Sequence, residues 1–277
     1  MNHIHWYPGH IAKAEKQLKE KLSLVDVVIE VVDARLPLSS RYPNIEKLIG
    51  NKPRLTVLNK SDLADEVFLN KWVELIKNSG CTVLKSNAAS GKDFSSIINA
   101  VVKLGEPAMK KLTDKGLLPR PVRVIVIGMP NVGKSSIINK LIKKQKTKIG
   151  AKAGVTRQQQ WVRVNDRIDL LDTPGIIPLR QDNQDAAYKL AIVNSIGENA
   201  YDAEFVAEYF LKNLKDSYLK KVKSHYKIED DLTLENIARA RNWIVSDGEA
   251  DITRCAVYVL TDFREGRLGR MTLDELP

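Results

Sequence analysis

At 277 residues, with 43% apolar and 28% charged content, the chain can hold one large domain or two modest ones, and its composition is that of an ordinary globular protein. The net charge of +10 is uneven: residues 1–178 carry +14 and residues 179–277 carry −4. No apolar run approaches the roughly 18 to 20 residues that span a bilayer, the start lacks a secretory pattern, and Cys81 and Cys255 are too few for a disulfide framework or zinc site, so a cytoplasmic protein with no membrane segment is expected.

In chain order, Met1–His10 precedes an expected helix over Ile11–Leu22. Val25–Val32, Leu55–Leu58, Cys81–Leu84 and Val122–Ile127 are short runs rich in Val, Ile and Leu, each leading into a polar or Gly-containing loop and then a helical pattern. That alternation predicts a mainly parallel sheet covered on both faces. Gly105–Pro121, with its Gly and Pro residues, reads as a connector holding at most a short helix near Ala108–Leu112. Trp161–Val164 and Ile168–Leu171 flank Asn165-Asp166-Arg167 and read as an edge hairpin. Beyond Pro178 the patterns are helical: Ala186–Ile196, Ala203–Tyr218, Leu234–Ser246 and Asp251–Phe263, with Asp202 and Thr233 as candidate caps. The expected organisation is an α/β domain over residues 1–180 and a smaller all-α domain over 181–277. One feature cuts across this plan. Lys140, Lys143, Lys144, Lys146, Lys148, Lys152 and Arg157 lie in a stretch with no acidic residue, which suits a phosphate backbone or is simply a solvated basic face.

The segment Gly128-Met-Pro-Asn131-Val132-Gly133-Lys134-Ser135-Ser136 sits between an expected strand and helix, the setting in which GxxxxGKS is a phosphate-binding loop. Its backbone N–H groups would wrap the phosphates of a nucleoside triphosphate, Lys134 would supply a cation to the β- and γ-phosphates, and Ser135 a hydroxyl to Mg²⁺. Asp172-Thr-Pro-Gly175 follows an expected strand; Asp172 could reach the same Mg²⁺ through water, and Gly175 could offer its N–H to the γ-phosphate. Thr156, between the two motifs, could complete the metal shell. Asn59-Lys60-Ser61-Asp62 reads guanine: a carboxylate accepts from N1–H and the 2-amino group, whereas adenine would leave it unpaired at a cost of several kcal/mol or about that order. Lys60 would pack its stem along the base. Asn87-Ala88, leading into Ala89-Ser90-Gly91, could bring a backbone N–H to guanine O6. The tetrad precedes the phosphate loop, whereas the usual order of these motifs is the reverse. The ligands of an α/β sheet sit in loops at strand ends, so chain order can be permuted without disturbing the pocket. The chain would then pass from Asp172–Gly175 straight into the helical domain, a short route by which loss of the γ-phosphate could reposition it.

The order of guanine tetrad, Asn87-Ala88, phosphate loop, Thr156 and DTPG resembles the YlqF/YawG family of circularly permuted GTPases. So do the opening His5-Trp-Tyr-Pro-Gly-His10, the Asp33-Ala-Arg35-x-Pro37 after the first strand, and the closing Asp262-Phe-Arg-x-Gly-Arg-Leu-Gly269. The resemblance implies a P-loop GTPase fold followed by an ANTAR-like helical domain that binds RNA. It also implies GTP hydrolysis stimulated by the ribosome, and partners in rRNA and the large (50S) subunit precursor, with no DNA; the protein is read as a monomer. An RNA-modification or translation GTPase, and a nucleotide-gated RNA-binding module, are the alternatives. Ile176 stands where many small GTPases carry a glutamine that orients water; an isoleucine cannot hydrogen-bond water, so another group must help. On the residues alone His10 could simply begin the helix; the resemblance points to it as the water-orienting group. Likewise Asn131 either shapes its turn or, as the resemblance to potassium-activated GTPases implies, helps hold a K⁺. Asp93, after Gly91-Lys92, departs from the Gly often found there.

Overall fold

A computed structural model describes residues 4, 11–43, 45–90, 94–146, 161–171, 175–176 and 183–277. Its centre is a sheet of β1 (Val27–Asp33), β2 (Arg54–Asn59), β3 (Thr82–Lys85), β4 (Val122–Gly128), β5 (Trp161–Asn165), β6 (Ile168–Leu171) and β7 (Gly175–Ile176). The order is β3-β2-β1-β4-β6-β5, with β7 also beside β4; every pairing is parallel except the β5–β6 hairpin. β1 and β2 are buried along their whole length, mostly by Val, Ile and Leu, with Glu30, Asp33, Arg54, Thr56 and Asn59 as buried polar residues among them.

Helices cover both faces. α1 (Ile11–Leu22) and α2 (Ile45–Ile49) close one side through Leu18, Leu22, Ile45 and Ile49 against Val28, Ile125 and Ile127. α3 (Glu66–Asn78), capped by the Asp65 carboxylate on Val67 N and Phe68 N, packs on β3. α4 (Phe94–Thr113) packs on β1, β2, β3 and β4. α5 (Lys134–Lys146) starts inside the phosphate loop. β1 and β4 are neighbours whose following segments diverge, β1 feeding β2 on one side and β4 lying toward β6 on the other. This is the switch point at which α/β sheets hold ligands.

α4 corrects the expected connector: the helix runs through both Gly105 and Pro107. Its apolar stripe Phe94, Ile97, Val101 and Gly105 is buried, and a Cβ on Gly105 would stand 2.5 Å from the Val122 methyls. Glycine lets the helix approach β4, and packing outweighs the weak helix propensity. Pro107 lies on the exposed side of the same helix.

The remaining chain is helical: α6 (Gln184–Ile192), a 3-10 turn at Glu198–Ala200, α7 (Ala203–Lys212), α8 (Asp216–Tyr226), α9 (Leu234–Ala240) and α10 (Ile252–Arg264). Asp202 and Thr233 cap α7 and α9 as expected, with side chains accepting from Glu204 N and Asn236 N. The expected helix Ala203–Tyr218 is two helices. Asn213 ends α7, and Lys215 reaches out to the carbonyls of Thr272 and Asp274 and lies over the Phe68 ring at 4.0 Å, so tertiary contacts break a pattern that is locally continuous. The expected helix Leu234–Ser246 stops at Ala240: Asn242 adopts φ 54 and Ile244 bridges Ala250 in antiparallel pairing. The core is continuous from β1, β4 and α4 into α6, α7 and α10. The last residues return to the α/β part. Met271 N donates to Leu63 O at 3.0 Å, Leu273 N to Arg35 O at 2.9 Å, and the buried Asp274 carboxylate accepts from Leu38 N and Ser39 N at 2.8 Å.

Candidate functional site

Three loops meet at the carboxyl ends of β2, β3 and β4, and Asn59 ties them together. Its Nδ2 donates to the Val132 carbonyl of the phosphate loop at 2.8 Å, and its Oδ1 accepts from Ala88 N at 3.0 Å. A buried amide with both ends satisfied is a rigid brace. The loops approach so closely that a Cβ on Gly133 (φ 98) would stand 2.1 Å from Asn59 Nδ2. Glycine is required there both for the left-handed backbone and for space.

In the phosphate loop Asn131 is left-handed (φ 56), Val132 is buried, and α5 begins at Lys134, so its first N–H groups are unsatisfied by the helix, as an anion site needs. Lys134 is buried, with Nζ 2.5 Å from the Met129 carbonyl. Burial pulls its ammonium from the ordinary lysine range to about 8, and it faces no carboxylate among the described residues. A cation held in low dielectric without a counter-charge is prepared for an anionic ligand. Ser135 and Ser136, next along α5, are exposed. Gly175 lies in β7, paired with Ile127 beside the start of the phosphate loop.

Lys60 is left-handed (φ 58), and its Nζ lies 2.9 Å from Asp33 Oδ2. Asp33 is fully buried. Burial alone would raise its carboxyl, but the Arg35 and Lys60 charges beside it prevail and hold it well below the usual carboxylate range. Asp62 is exposed. Asn87 Oδ1 accepts from Ala89 N and Ser90 N at 3.0 and 3.2 Å, a turn closed by its own side chain. With Ala88 N spent on Asn59, a guanine O6 contact would have to share one of these N–H groups or use Gly91, which lies outside the described residues. His10, Thr156 and Asp172 also lie outside them.

Asn131 also reaches away from the pocket: its Nδ2 donates to the carbonyl of Asn194, just past α6, at 2.6 Å. No signal in the sequence pairs residues so far apart. The same holds for Arg35, whose motif is visible but whose partners come from the other end of the chain.

Comparison with known proteins agrees with the pocket. Residues 123–241 match the family model described as "50S ribosome-binding GTPase". "Ribosome biogenesis GTPase A" of Bacillus cereus is 41% identical over 98% of this chain and 93% of that one. Among solved structures, the GDP-bound structure of TM YlqF superposes with a TM-score of 0.69 at 28% identity, covering 94% of this chain and 98% of that chain. GNP-bound YlqF from T. maritima gives 0.66 at 27% identity, covering 95% and 98%. With Asn59–Asp62 ahead of the loop Gly128–Ser135 in sequence and Asn59 bonded to that loop in space, the chain belongs to the ribosome biogenesis GTPase A family: it is a circularly permuted, guanine-nucleotide-binding GTPase of ribosome biogenesis.

Proposed function

We infer that the protein is a GTP-gated assembly factor for the large ribosomal subunit, binding the 50S precursor and its rRNA in the GTP state and leaving after hydrolysis that the particle stimulates. The observation that carries this reading is the match to a ribosome biogenesis GTPase over nearly the whole chain, helical region included. Residues 1–180 then act as the GTPase domain and 181–277 as an RNA-binding helical domain, in a cytoplasmic monomer. Among the described residues no helix is long and apolar enough to cross a membrane.

In this reading Asp62 and Lys60 read guanine, the loop Asn131–Ser136 with Lys134 grips the phosphates, and Gly175 offers its N–H to the γ-phosphate. Ser135, with Thr156 and Asp172, would hold Mg²⁺; the exposed hydroxyl directly after the phosphate-loop lysine suits it. Mg²⁺ when bound offsets the charge of the transferring phosphoryl group. Asn131 spends its amide nitrogen on Asn194, which leaves its oxygen for a K⁺. Ile176 brings no polar group to the attacking water, so His10 orients it.

The test is sedimentation binding to 50S precursors with a GTP analogue and with GDP. Tighter binding of the triphosphate form, weakening steeply with salt, is expected. Equal binding of both forms would rule out gating. Depletion of the protein should accumulate a late large-subunit intermediate.

A further inference from the structure

Two motifs have no role in the account above: Asp33-Ala34-Arg35 after β1 and Asp262-Phe263-Arg264 at the end of α10. The fold brings them together. The Arg35 guanidinium lies 5.1 Å from the Phe263 ring centroid, and its NH1 donates to the Arg264 carbonyl at 3.4 Å. Its Nε and NH2 grip both oxygens of Asp33 at 2.9 and 2.8 Å, and its own N–H adds a third bond to that carboxylate at 3.0 Å. Asp33 in turn holds Lys60, the tetrad lysine, at 2.9 Å.

The guanidinium and the carboxylate are both buried, a placement that is costly unless each group is fully paired. The pairing is full only with the α10 end in place, which supplies the ring and the carbonyl. The same end secures the rest of the tetrad loop, through Met271 N on Leu63 O and Thr272 Oγ1 accepting from Asp65 N at 3.2 Å. Arg264 then carries the connection onward, its Nε and NH2 donating to the carbonyls of Ile192 and Ala191 at the end of α6. Two residues beyond, Asn194 meets the phosphate-loop Asn131. The helical region thus touches both the base side and the phosphate side of one pocket.

We propose that Arg35 and Phe263 are positioning residues for guanine recognition, setting Lys60 through Asp33 and with it Asp62, which lies between Lys60 and the held Leu63, so that the seating of the helical region on the tetrad loop governs how tightly and how selectively guanine nucleotide is held. This rests on the reading of Asn59–Asp62 as the guanine site. A partner that shifts the α10 end would therefore loosen the base as well as the phosphates, making nucleotide release responsive to what the helical region binds.

The experiment measures dissociation constants and off-rates of GDP and of IDP, which lacks the 2-amino group, for Arg35→Lys, Phe263→Leu, Asp62→Asn and the exposed control Arg239→Ala. Circular dichroism checks that each variant is folded. Arg35→Lys keeps a charge for Asp33 but loses the fork, and is expected to weaken GDP about tenfold through a faster off-rate, with a smaller loss for IDP. Phe263→Leu is expected to move the same way, about threefold, and decides the matter if Arg35→Lys does not fold. Arg239→Ala should change neither constant. Wild-type off-rates in both variants, or equal losses for GDP and IDP, would overturn the proposal, because a merely structural role does not alter base preference. If Asp62→Asn leaves the GDP-to-IDP ratio unchanged, it is the guanine-site reading that falls.

Discussion

The proposed base side and the proposed phosphate side of the pocket are built on opposite plans. Around the tetrad, polar groups are spent on the protein itself: Asn59 on two loops, Lys60 and Arg35 on Asp33, and the backbone of Leu63 and Asp65 on the C-terminal segment. Around the phosphates the reverse holds, with Lys134 buried beside one carbonyl and the first turn of α5 open. A base is a neutral, shaped ligand, and a stiff preformed mould discriminates it at little cost in reorganisation. A polyphosphate is recognised by charge, and a site that has not already neutralised its cation binds it best. Damage on the phosphate side should therefore appear in affinity, and damage on the base side in stability and selectivity.

The largest break of this contrast is Lys134→Ala. Losing a charge-assisted contact to the β- and γ-phosphates should raise the dissociation constant for a non-hydrolysable GTP analogue about a hundredfold, while the thermal midpoint of the free protein does not fall, because the loss of one carbonyl bond is offset by removal of a buried charge that burial disfavours. Isothermal calorimetry with a melting curve checks both. Gly133→Ala strikes the brace between the two sides. Its Cβ would overlap Asn59 Nδ2, so it should lower both stability, by about 2 kcal/mol, and GDP affinity, read by denaturant unfolding and nucleotide titration. Asp274→Ala belongs to the base side. It leaves the Leu38 and Ser39 N–H groups without their acceptor and should cost about 2 kcal/mol of stability, with a smaller effect on phosphate affinity, measured with pyrophosphate as the ligand.

The pH dependence sharpens the comparison with the smallest step. Lys134 titrates near 8 in the free protein, and bound phosphates favour its charged form, raising that value. GDP affinity should then be flat below about pH 8 and fall above it, by at most about tenfold per unit, with proton uptake on binding in calorimetry at pH 8.5. Lys134→Ala should flatten the profile. A profile that remains steep in that variant would assign the titration elsewhere.

Much of this was legible from local pattern. The phosphate-loop turn, the parallel strands and the edge hairpin are carried by short stretches, whose apolar runs and glycine-rich loops state their own conformations. The misreadings have a common cause. The α4 residues Gly105 and Pro107 look like helix breakers, and only Val122 packing against Gly105 explains why the helix continues. The break between α7 and α8 is invisible locally because Lys215 turns aside to bonds with residues about sixty positions later.

The amino-acid order alone thus determined the ligand class and the fold, because phosphate loops, base-reading tetrads and buried strands depend on neighbours within a few residues. Tertiary structure alone decided that Asn59 braces the loops, that Asp33 and Arg35 join Lys60 to Phe263, and that Asn131 meets Asn194. Those contacts link groups up to more than two hundred positions apart. Buried charges must find partners wherever packing brings them, and that placement follows from the closing of the whole core, not from the residues on either side.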